Sequence, residues 1–487
     1  MSTIYTDIFA AVSWHTPNVT LVRHSAYRLD AAFFSQNAEL ARMALGSSGL
    51  PVQPMKDLAR VFALSDFSLG RIPAADDRGV AFFTFSDILE WDAQQTMFLS
   101  RKYEPNLDDY IVNEGWVLLS RAGTVGNAII VGPELSGKAI ANHAIRIVPK
   151  DNDIGNLLYL VLTGSIGRTV ISSFMYGAVV DVINPAQVEQ LDIPIPATPI
   201  LKRLSTLIGK SIAAKGDSVS LLRNACNLIQ KVNSLSLLPK AYVTPANEMP
   251  RPTSFELVSR SIVATAAQGS DYRLDAHFYN PTAQLAVASV KKCRCEVKTV
   301  GDVARVLFTG GRFKRNYVES THGVPFLSGK NIVQIRPTDL KYLSNLQMSD
   351  LQELTLKPGW TLITRTGTIG RTCFIWKNYE NYAASDNILR VAPDHNKIDS
   401  AYLYAFLSSR YGYEQILRYR CGSVVDLITD TQVEKVLVPI PSHKDQVAIG
   451  DMVREAYEKR AEAIRLEDEA QVILTNELTK AQGSQGV

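Results

Sequence analysis

The sequence predicts an α+β protein: two β-rich domains, related by a pseudo-twofold axis, separated by two long, antiparallel coiled-coil helices. The first observation behind this prediction is an internal repeat. Twelve residues from Gly115 to Gly126 (GWVLLSRAGTVG) recur from Gly359 to Gly370 (GWTLITRTGTIG), with seven identical positions. The second observation is that a run with apolar residues at heptad positions follows each β-rich region, which is typical of a coiled-coil helix.

Other blocks recur in the same order, so the duplication has the size of a domain. Residues 27–31 (YRLDA) return at 272–276, 177–181 (GAVVD) return as GSVVD at 422–426, and 193–196 (IPIP) return as VPIP at 438–441. The copies lie 244 residues apart (Gly115 to Gly359) or 245 residues apart (Tyr27 to Tyr272). Solenoid units repeat every roughly 20 to 50 residues, so this is a duplicated domain.

Composition and charge indicate an ordinary globular protein. The 487 residues are 46% hydrophobic and 20% charged, and the length suggests about three domains of roughly 150 residues. The net charge of +3 means that a polyanionic partner would need a local basic patch. Five cysteines, an odd number, favour a reducing compartment without a disulfide framework. Cys293 and Cys295 form the only close pair, and the sequence offers no further ligands for zinc near them.

The N-terminal residues carry neither the basic region nor the apolar core of a signal peptide. No apolar run is long enough to span a bilayer. We therefore expect a soluble, cytoplasmic protein that has no membrane partner.

Changes in composition divide the chain into seven segments. Short β-rich runs such as Val80–Phe85, Trp116–Ser120 and Ala128–Val131 mark the first domain, and a proline-punctuated stretch after Pro239 marks a linker. The predicted segments are an N-terminal lead-in arm (1–50), a first β-rich domain (51–197), a central long helix (198–238), a proline-rich linker with a second lead-in (239–296), a second β-rich domain (297–441), a C-terminal long helix (442–482) and a disordered tail (483–487).

The two long helices are predicted to pack against each other through their apolar stripes. In the central helix the stripe is interrupted by Ser211, Lys215 and Ser218 beside Gly216, which predicts an imperfect seam there. Glycine inside a helix costs about 1 kcal/mol relative to alanine. In the C-terminal helix only Lys459 interrupts the stripe.

No catalytic constellation is recognisable in the sequence. Gly132–Ala139 resembles a P-loop but ends in alanine, where magnesium needs a serine or threonine hydroxyl. Glu296 and Lys298 resemble the end of a nuclease metal site, but no second carboxylate lies close by. We expect no catalytic, cofactor-binding or metal-binding residue on this chain.

Two kinds of loop carry candidate nucleic-acid contacts. The repeated Arg-x-Gly-Thr-x-Gly turn follows a strand; its glycines are best explained by the turn itself, whereas its arginines can pair with phosphate or guanine. The second domain adds a basic loop interleaved with aromatic residues, 310–317, which the first domain lacks. The candidate DNA-binding residues are Arg121, Thr124, Arg312, Lys314, Arg315, Lys330, Asn331, Gln334, Arg365, Thr368 and Arg371.

The order of these blocks resembles the DNA-specificity subunit of type I restriction-modification systems. The resemblance covers nearly the whole chain. It rests on Gly359–Gly370, Ala384-Ser-Asp-Asn387-Ile, Tyr402–Ser409 and Val438–Pro441, which leads into a helix containing Gln446 and Ile449, and on Asn142-His143 opposite Asp386-Asn387.

This resemblance implies a non-catalytic subunit with two target-recognition domains, each reading one half of a split DNA sequence, and with the long helices setting the gap. It implies partner methyltransferase subunits, expected to be two, that bind S-adenosylmethionine and methylate adenine, and a separate restriction and motor subunit that cleaves double-stranded DNA. The lead-in arms and the proline-rich linker suggest a branch in which each half begins with an extra arm.

Three alternatives stay open from the sequence. The chain could be a specificity subunit whose partner fuses methylase and nuclease. It could be a DNA-independent assembly scaffold whose basic loop is simply solvated. A nuclease or NTPase would rest only on the defective motifs described above.

Overall fold

The structure is a computed structural model. It describes residues 33–46, 48–64, 79–92, 97–122, 125–176, 181–238, 273, 275, 277–307, 314–337, 339–347, 352, 354–422 and 425–483. The YRLDA block at 27–31, the linker over 239–272 and residues 484–487 of the tail lie outside the described residues.

The helices include two that are much longer than the rest. In chain order they are α1 (Gln36–Gly46), α2 (Phe85–Ile88), α3 (Asn152–Thr163), α4 (Ser165–Ser173), α5 (Pro185–Glu189), α6 (Thr198–Val232), α7 (Pro281–Lys291), α8 (Val300–Val303), α9 (Gly329–Val333), α10 (Ser400–Ser408), α11 (Arg410–Leu417), α12 (Asp430–Glu434) and α13 (His443–Gly483).

The strands are short and fall into two series. They are β1 (Val52–Pro54), β2 (Ala59–Ala63), β3 (Val80–Phe83), β4 (Met97–Leu99), β5 (Val117–Ser120), β6 (Ala128–Ile130), β7 (Ala139–Ile140), β8 (Ala144–Pro149), β9 (Asp192–Pro194), β10 (Glu296–Thr299), β11 (Ala304–Leu307), β12 (Tyr317–Val318), β13 (Gly323–Leu327), β14 (Lys341–Ser344), β15 (Thr361–Thr364), β16 (Thr372–Phe374), β17 (Ala383–Ala384), β18 (Ile388–Pro393) and β19 (Leu437–Ile440). The mixture of strands and helices confirms the predicted α+β class.

The described residues form two compact units. Unit 1 comprises those within Met1–Gly70, Asn106–Gly209 and Asp468–Val487, and unit 2 comprises those within Arg71–Pro105 and Lys210–Glu467. The division does not follow the linear order of the chain, since Arg71–Pro105 groups with unit 2. Both long helices contribute residues to both units.

Unit 1 is built on an antiparallel four-stranded sheet with the order β2-β8-β5-β6. Its inner strands are buried along most of their length, as in β5. A two-stranded antiparallel ribbon, β1-β9, joins the start of the domain to its end, with Val52 opposite Pro194. The buried helix α3 begins where Asp151 accepts a hydrogen bond from the Ile154 N–H at 2.9 Å, which is an N-cap.

Unit 2 repeats this plan and also contains the β3-β4 antiparallel pair of the first half, with Val80 opposite Leu99, and the pair's repeat equivalent, β13-β14. The antiparallel sheet β11-β18-β15-β16 and the ribbon β10-β19 correspond element by element to those of unit 1. The sheet that holds β13 and β14 has the order β12-β14-β13-β17, with a parallel β13-β17 pair. The duplicated sequence blocks therefore form the same elements in both halves, at a shift of 244 residues for β5 (from Val117) and β15 (from Thr361).

Residues 79–92, which precede β4 in the first half, pack in unit 2 against their own repeat equivalents. The Trp91 N–H donates to the Val333 carbonyl at 2.8 Å, and the Ile335 N–H donates to the Leu89 carbonyl at 3.1 Å. Because the repeat relates Trp91 to Ile335 and Leu89 to Val333, the two hydrogen bonds are equivalent and reciprocal. This is a local pseudo-twofold contact, and it explains why the segment groups with unit 2.

The long helices run antiparallel where they meet in unit 2. The Ser211 hydroxyl donates to the Ala463 carbonyl at 2.9 Å, and the Ser218 hydroxyl donates to the Ala456 carbonyl at 2.8 Å. Moving along α6 therefore means moving backwards along α13, as predicted.

The predicted imperfection of this seam is wrong. Ser211 and Ser218 are 1% and 0% exposed, and α6 continues through Gly216 without a break. A serine is short enough to let two helices approach closely, and its hydroxyl uses the second lone pair of a carbonyl that already accepts a helical hydrogen bond. The polar positions are therefore part of the interface.

In unit 1 both long helices contact α3. The Asn156 side chain donates to the Ser205 hydroxyl at 2.9 Å, and the Gln471 side chain donates to the Leu160 carbonyl at 2.9 Å. Arg203 and Glu469 form an exposed ion pair between the helices at 3.5 Å.

The central helix ends at Val232, short of the predicted boundary at 238. Ser234 has a φ of 51°, and the Leu235 N–H donates to the Gln230 carbonyl at 2.9 Å. This left-handed residue and its hydrogen bond back to the last turn are the usual way in which a helix stops.

None of the described helices is, by itself, long and apolar enough to cross a membrane. Taken together, the bent pair of α3 and α4 would be long and apolar enough, by length and composition only.

Candidate nucleic-acid interface

The repeated Arg-x-Gly-Thr-x-Gly turn of unit 2 links β15 to β16. Its first residue, Arg365, is half-buried and is held at both ends of its backbone: its N–H donates to the Asn387 carbonyl at 3.0 Å, and its carbonyl accepts from the Ile428 N–H at 3.1 Å. The Arg365 Nε donates to the Ile428 carbonyl at 3.1 Å. The turn thereby joins the Ala384-Ser-Asp-Asn387 block to the segment that follows the GSVVD block.

Glycine is required at Gly370 in this turn. Its φ is +82°, and an added Cβ would lie 3.2 Å from the Tyr413 ring. Thr368 lies in the middle of the turn and is exposed, while its carbonyl accepts a hydrogen bond from the Thr364 hydroxyl. The turn therefore presents Thr368 to solvent from a rigid backbone.

Unit 1 repeats the backbone hydrogen bonds around Arg121. The Arg121 N–H donates to the His143 carbonyl at 2.8 Å, and the Arg121 carbonyl accepts from the Ile183 N–H at 3.1 Å. Arg121 is half-buried, and Thr124 lies outside the described residues. The prediction that this turn carries DNA contacts stays a prediction.

Each turn is backed by a buried arginine that the sequence analysis missed. Arg146 in β8 and Arg390 in β18 occupy equivalent repeat positions, and both are 0% exposed. Arg390 donates to the Ile388 carbonyl at 2.8 Å and the Ala384 carbonyl at 2.5 Å, and Arg146 donates in the same way to two carbonyls at 3.0 and 2.6 Å. The motif Arg-Ile-Val-Pro and its copy Arg-Val-Ala-Pro are visible in the sequence, but the sequence does not show that the arginine of this apolar strand is buried.

Burial lowers the pKa of both Arg146 and Arg390 to about 10. Both side chains therefore remain protonated at neutral pH. Each guanidinium binds the first carbonyl of its own strand and the last carbonyl of the short strand before it, and so holds both ends of the Ala384–Asn387 block and of its counterpart around Asn142. The buried charge thus stabilises loop geometry directly beside the turn.

Lys314 and Arg315, from the basic loop, lie at the edge of unit 2. Lys314 is exposed. Arg315 is half-buried, forms an ion pair with Asp386 and lies over the Phe326 ring at 5.2 Å. Arg312 lies outside the described residues. Arg315 therefore connects the basic loop to the Ala384–Asn387 block.

The three candidates around α9 differ in exposure. Lys330 is at the surface and pairs with Asp339 at 2.7 Å. Asn331 and Gln334 are each 3% exposed, and the Asn331 side chain caps α9 by accepting from the Ser328 N–H at 2.9 Å. Asn331 also donates to Gln334 at 3.3 Å. These two amides are used inside the fold, which favours a structural role for them over a DNA contact.

Arg371 also has a partner inside unit 2. It forms an ion pair with Glu90, in the segment that packs against the repeat equivalents. Both side chains are 15% exposed. Burial raises the pKa of Glu90 to about 7, which outweighs the opposite effect of the Arg371 charge. Arg371 therefore ties the turn to this local contact.

The structure also shows where the P-loop-like segment and the close pair of cysteines lie. Gly132–Ala139 runs into strand β7, where a P-loop would open a helix. The Cys293 and Cys295 sulfurs lie 3.2 Å apart. Across the described ranges, no group of three or more His, Cys, Asp or Glu side chains is arranged to hold a metal ion.

Comparison with known proteins identifies the family. Residues 75–218 and 294–467, together well over half of the chain, match the family model of the type I restriction modification DNA specificity domain. No curated protein matches the chain.

Solved structures also align along most of the chain. One is the S subunit of a type I restriction-modification system from M. genitalium, at 12% identity and a TM-score of 0.29, covering 88% of this chain and 95% of that one. A second is the HsdS subunit from Thermoanaerobacter tengcongensis, at 14% identity and a TM-score of 0.28, covering 89% and 96%. Both TM-scores are low, and the family assignment therefore rests on the two matches to the family model. The chain belongs to the type I restriction-modification DNA specificity family.

Proposed function

We propose that this DNA-specificity subunit reads a bipartite target, with each recognition domain contacting one half of the sequence. The observation that carries the proposal is the duplication. The family model matches twice, and both halves build the same strand-turn-strand motif with the same backbone hydrogen bonds around Arg121 and Arg365. Two copies of one recognition scaffold suit two separate half-sites.

The long helices would set the distance between the half-sites and offer the docking surface for partners. Their antiparallel contact in unit 2 is fixed by the buried Ser211 and Ser218 hydrogen bonds, and a register fixed in this way resists sliding. The partners would be two methyltransferase subunits, which bind S-adenosylmethionine and methylate adenine, and a restriction subunit.

The proposal is tested by co-expressing the chain with its partner subunits and sequencing host DNA for methylated adenine. We expect a split motif that disappears when this chain is deleted. Exchanging residues 297–441 for those of a relative should change one half of the motif and leave the other half intact. Methylation that is absent, or indifferent to this chain, would contradict the proposal.

A second experiment tests the helices alone. Inserting one heptad into both α6 and α13, in the segments that meet in unit 2, should lengthen the gap in the motif and preserve both half-sites. A heptad of straight helix adds about 10 Å, which is about three base pairs of DNA at 3.4 Å each. An unchanged gap, with both halves still read, would show that the helices do not set it.

A further inference from the structure

Strand β12 and the β14 end of the neighbouring hairpin form one exposed surface in unit 2. The strands pair antiparallel, with Tyr317 opposite Leu343. The Ser344 N–H donates to the Asn316 carbonyl at 3.0 Å, which extends the pairing into the basic loop. Two segments that are separated in the sequence thus lie side by side.

Gln347 fixes the basic loop to this surface. Its Oε1 accepts from the Asn316 N–H at 3.1 Å, and its Nε2 donates to the Lys314 carbonyl at 2.7 Å. Gln347 lies in a short 3₁₀ helix, Asn345–Gln347, which follows β14 directly. The backbone that carries Lys314 and the backbone that carries Leu346 are therefore held in one rigid arrangement.

Apolar groups on this surface are unusually exposed. Leu346 is 95% exposed and Tyr317 is 44% exposed. Together with Glu319 and His322 they line an open cavity of about 860 Å³. An isolated exposed leucine is ordinary, but one beside an exposed tyrosine at the mouth of a cavity is typical of a binding surface.

Cationic side chains border the same apolar groups. The Lys341 ammonium lies 4.8 Å from the centre of the Tyr317 ring, and Lys314 is exposed on the adjoining loop. Arg315 and Lys330 nearby are held by carboxylates, whereas Lys341 lies on an aromatic ring. Apolar groups rimmed by lysines complement the edge of a DNA groove, where phosphates flank base edges and thymine methyl groups.

The first half presents different chemistry at the equivalent positions. The repeat places Met97 at the position of Lys341 and Lys102 at the position of Leu346. The surrounding Leu-Ser pair is the same in both halves, at 99–100 and 343–344. A surface that differs while its scaffold is preserved is what two different half-sites require.

We propose that Tyr317, Lys341 and Leu346 determine the specificity of the second recognition domain. Leu346 and Tyr317 contact base edges, and Lys341 and Lys314 contact the flanking phosphates. This inference rests on the proposed function, because it needs a second half-site to be read.

The test uses the full chain co-expressed with its partner subunits. The variants are Leu346→Ala and Lys341→Gln, and the matched controls are Leu285→Ala and Lys291→Gln on α7. Leu285 is 48% exposed and Lys291 is exposed, so all four changes remove only surface side chains. Binding is measured to duplexes carrying the methylated motif and its single-base variants, at several salt concentrations.

We expect Leu346→Ala to reduce discrimination at one position of the second half-site about fivefold or more, and to leave the first half-site unchanged. We expect Lys341→Gln to weaken binding to all sequences together and to lower the salt slope by about 0.9, the value for one lost phosphate contact. The controls should match the wild-type chain.

Two results would overturn the inference in distinguishable ways. If the wild-type complex reads both half-sites and the two variants behave like their controls, this surface is not the reader, and the proposed function stands. If the wild-type complex reads no second half-site, the proposed function fails and the inference fails with it.

Discussion

For the buried serines between the long helices, the structure and the heptad pattern predict opposite effects of a substitution on stability. In the heptad pattern Ser218 is a polar residue at an apolar position. The pattern alone therefore predicts that replacing Ser218 with leucine stabilises the protein by about 1.5 to 3 kcal/mol, through burial of an apolar side chain. In the structure Ser218 is 0% exposed and donates to the Ala456 carbonyl at 2.8 Å. The same replacement should therefore destabilise unit 2.

The magnitude has two parts. Losing the hydrogen bond costs about 1 kcal/mol, because the carbonyl keeps its helical partner. Forcing a leucine between closely approaching helices costs about 1 to 3 kcal/mol. We expect Ser218→Leu to lower the free energy of unfolding by about 2 to 4 kcal/mol, and Ser218→Ala by only about 1 kcal/mol.

Differential scanning calorimetry of the full chain measures this effect. For a unit of this size 1 kcal/mol corresponds to about 2 °C, so Ser218→Leu should lower the Tm of unit 2 by about 4 °C or more. Ser220→Leu, at an exposed position of the same helix, is the control and should change the stability by about 0.5 kcal/mol at most. A Tm for Ser218→Leu above that of the control would refute the reasoning.

Three further predictions concern unit 2. Burial raises the pKa of Glu90 to about 7 from an ordinary 4.5, so the folded state binds this proton more tightly than the unfolded state does. Between pH 4.5 and 7 the free energy of unfolding of the wild-type chain should therefore fall by about 2 kcal/mol relative to that of Glu90→Gln. Parallel profiles of stability against pH for the two chains would contradict this. Gly370→Ala should destabilise the protein by about 1 to 2 kcal/mol in thermal unfolding, because the φ of Gly370 is +82° and the Tyr413 ring leaves little room for a Cβ. Gly216→Ala, inside α6, should stabilise it by up to about 1 kcal/mol. Equal effects of the two substitutions would refute the assigned backbone conformations. Arg390→Lys should cost about 2 kcal/mol by chemical denaturation, since an ammonium cannot reproduce the planar fork that binds two carbonyls, and a neutral result would show that the fork is dispensable.

The candidate site was predictable only in part. The turn arginines Arg121 and Arg365 lie where the repeat places them, each held by equivalent backbone hydrogen bonds. Asn331 and Gln334 look like surface residues in the sequence, but they lie buried, because Asn331 caps a short helix and Gln334 accepts a hydrogen bond from Asn331. A cap and a DNA contact use the same residue types, so composition cannot distinguish them.

The duplication, the α+β class, the two long helices and the family could all be predicted from the sequence alone. These features follow from local sequence patterns, namely the repeated blocks, the alternating short strands and the heptad spacing of apolar residues. They also held where the structure could be compared, as in the matching β5 and β15.

The contacts between distant residues could be seen only in the folded chain. It placed Ser218 inside the helix interface, paired Arg371 with Glu90 and brought Lys341 to Tyr317. Whether a polar side chain is buried, paired or free to bind depends on close packing between segments far apart in the chain. That information lies in the geometry of the fold, and no local pattern carries it.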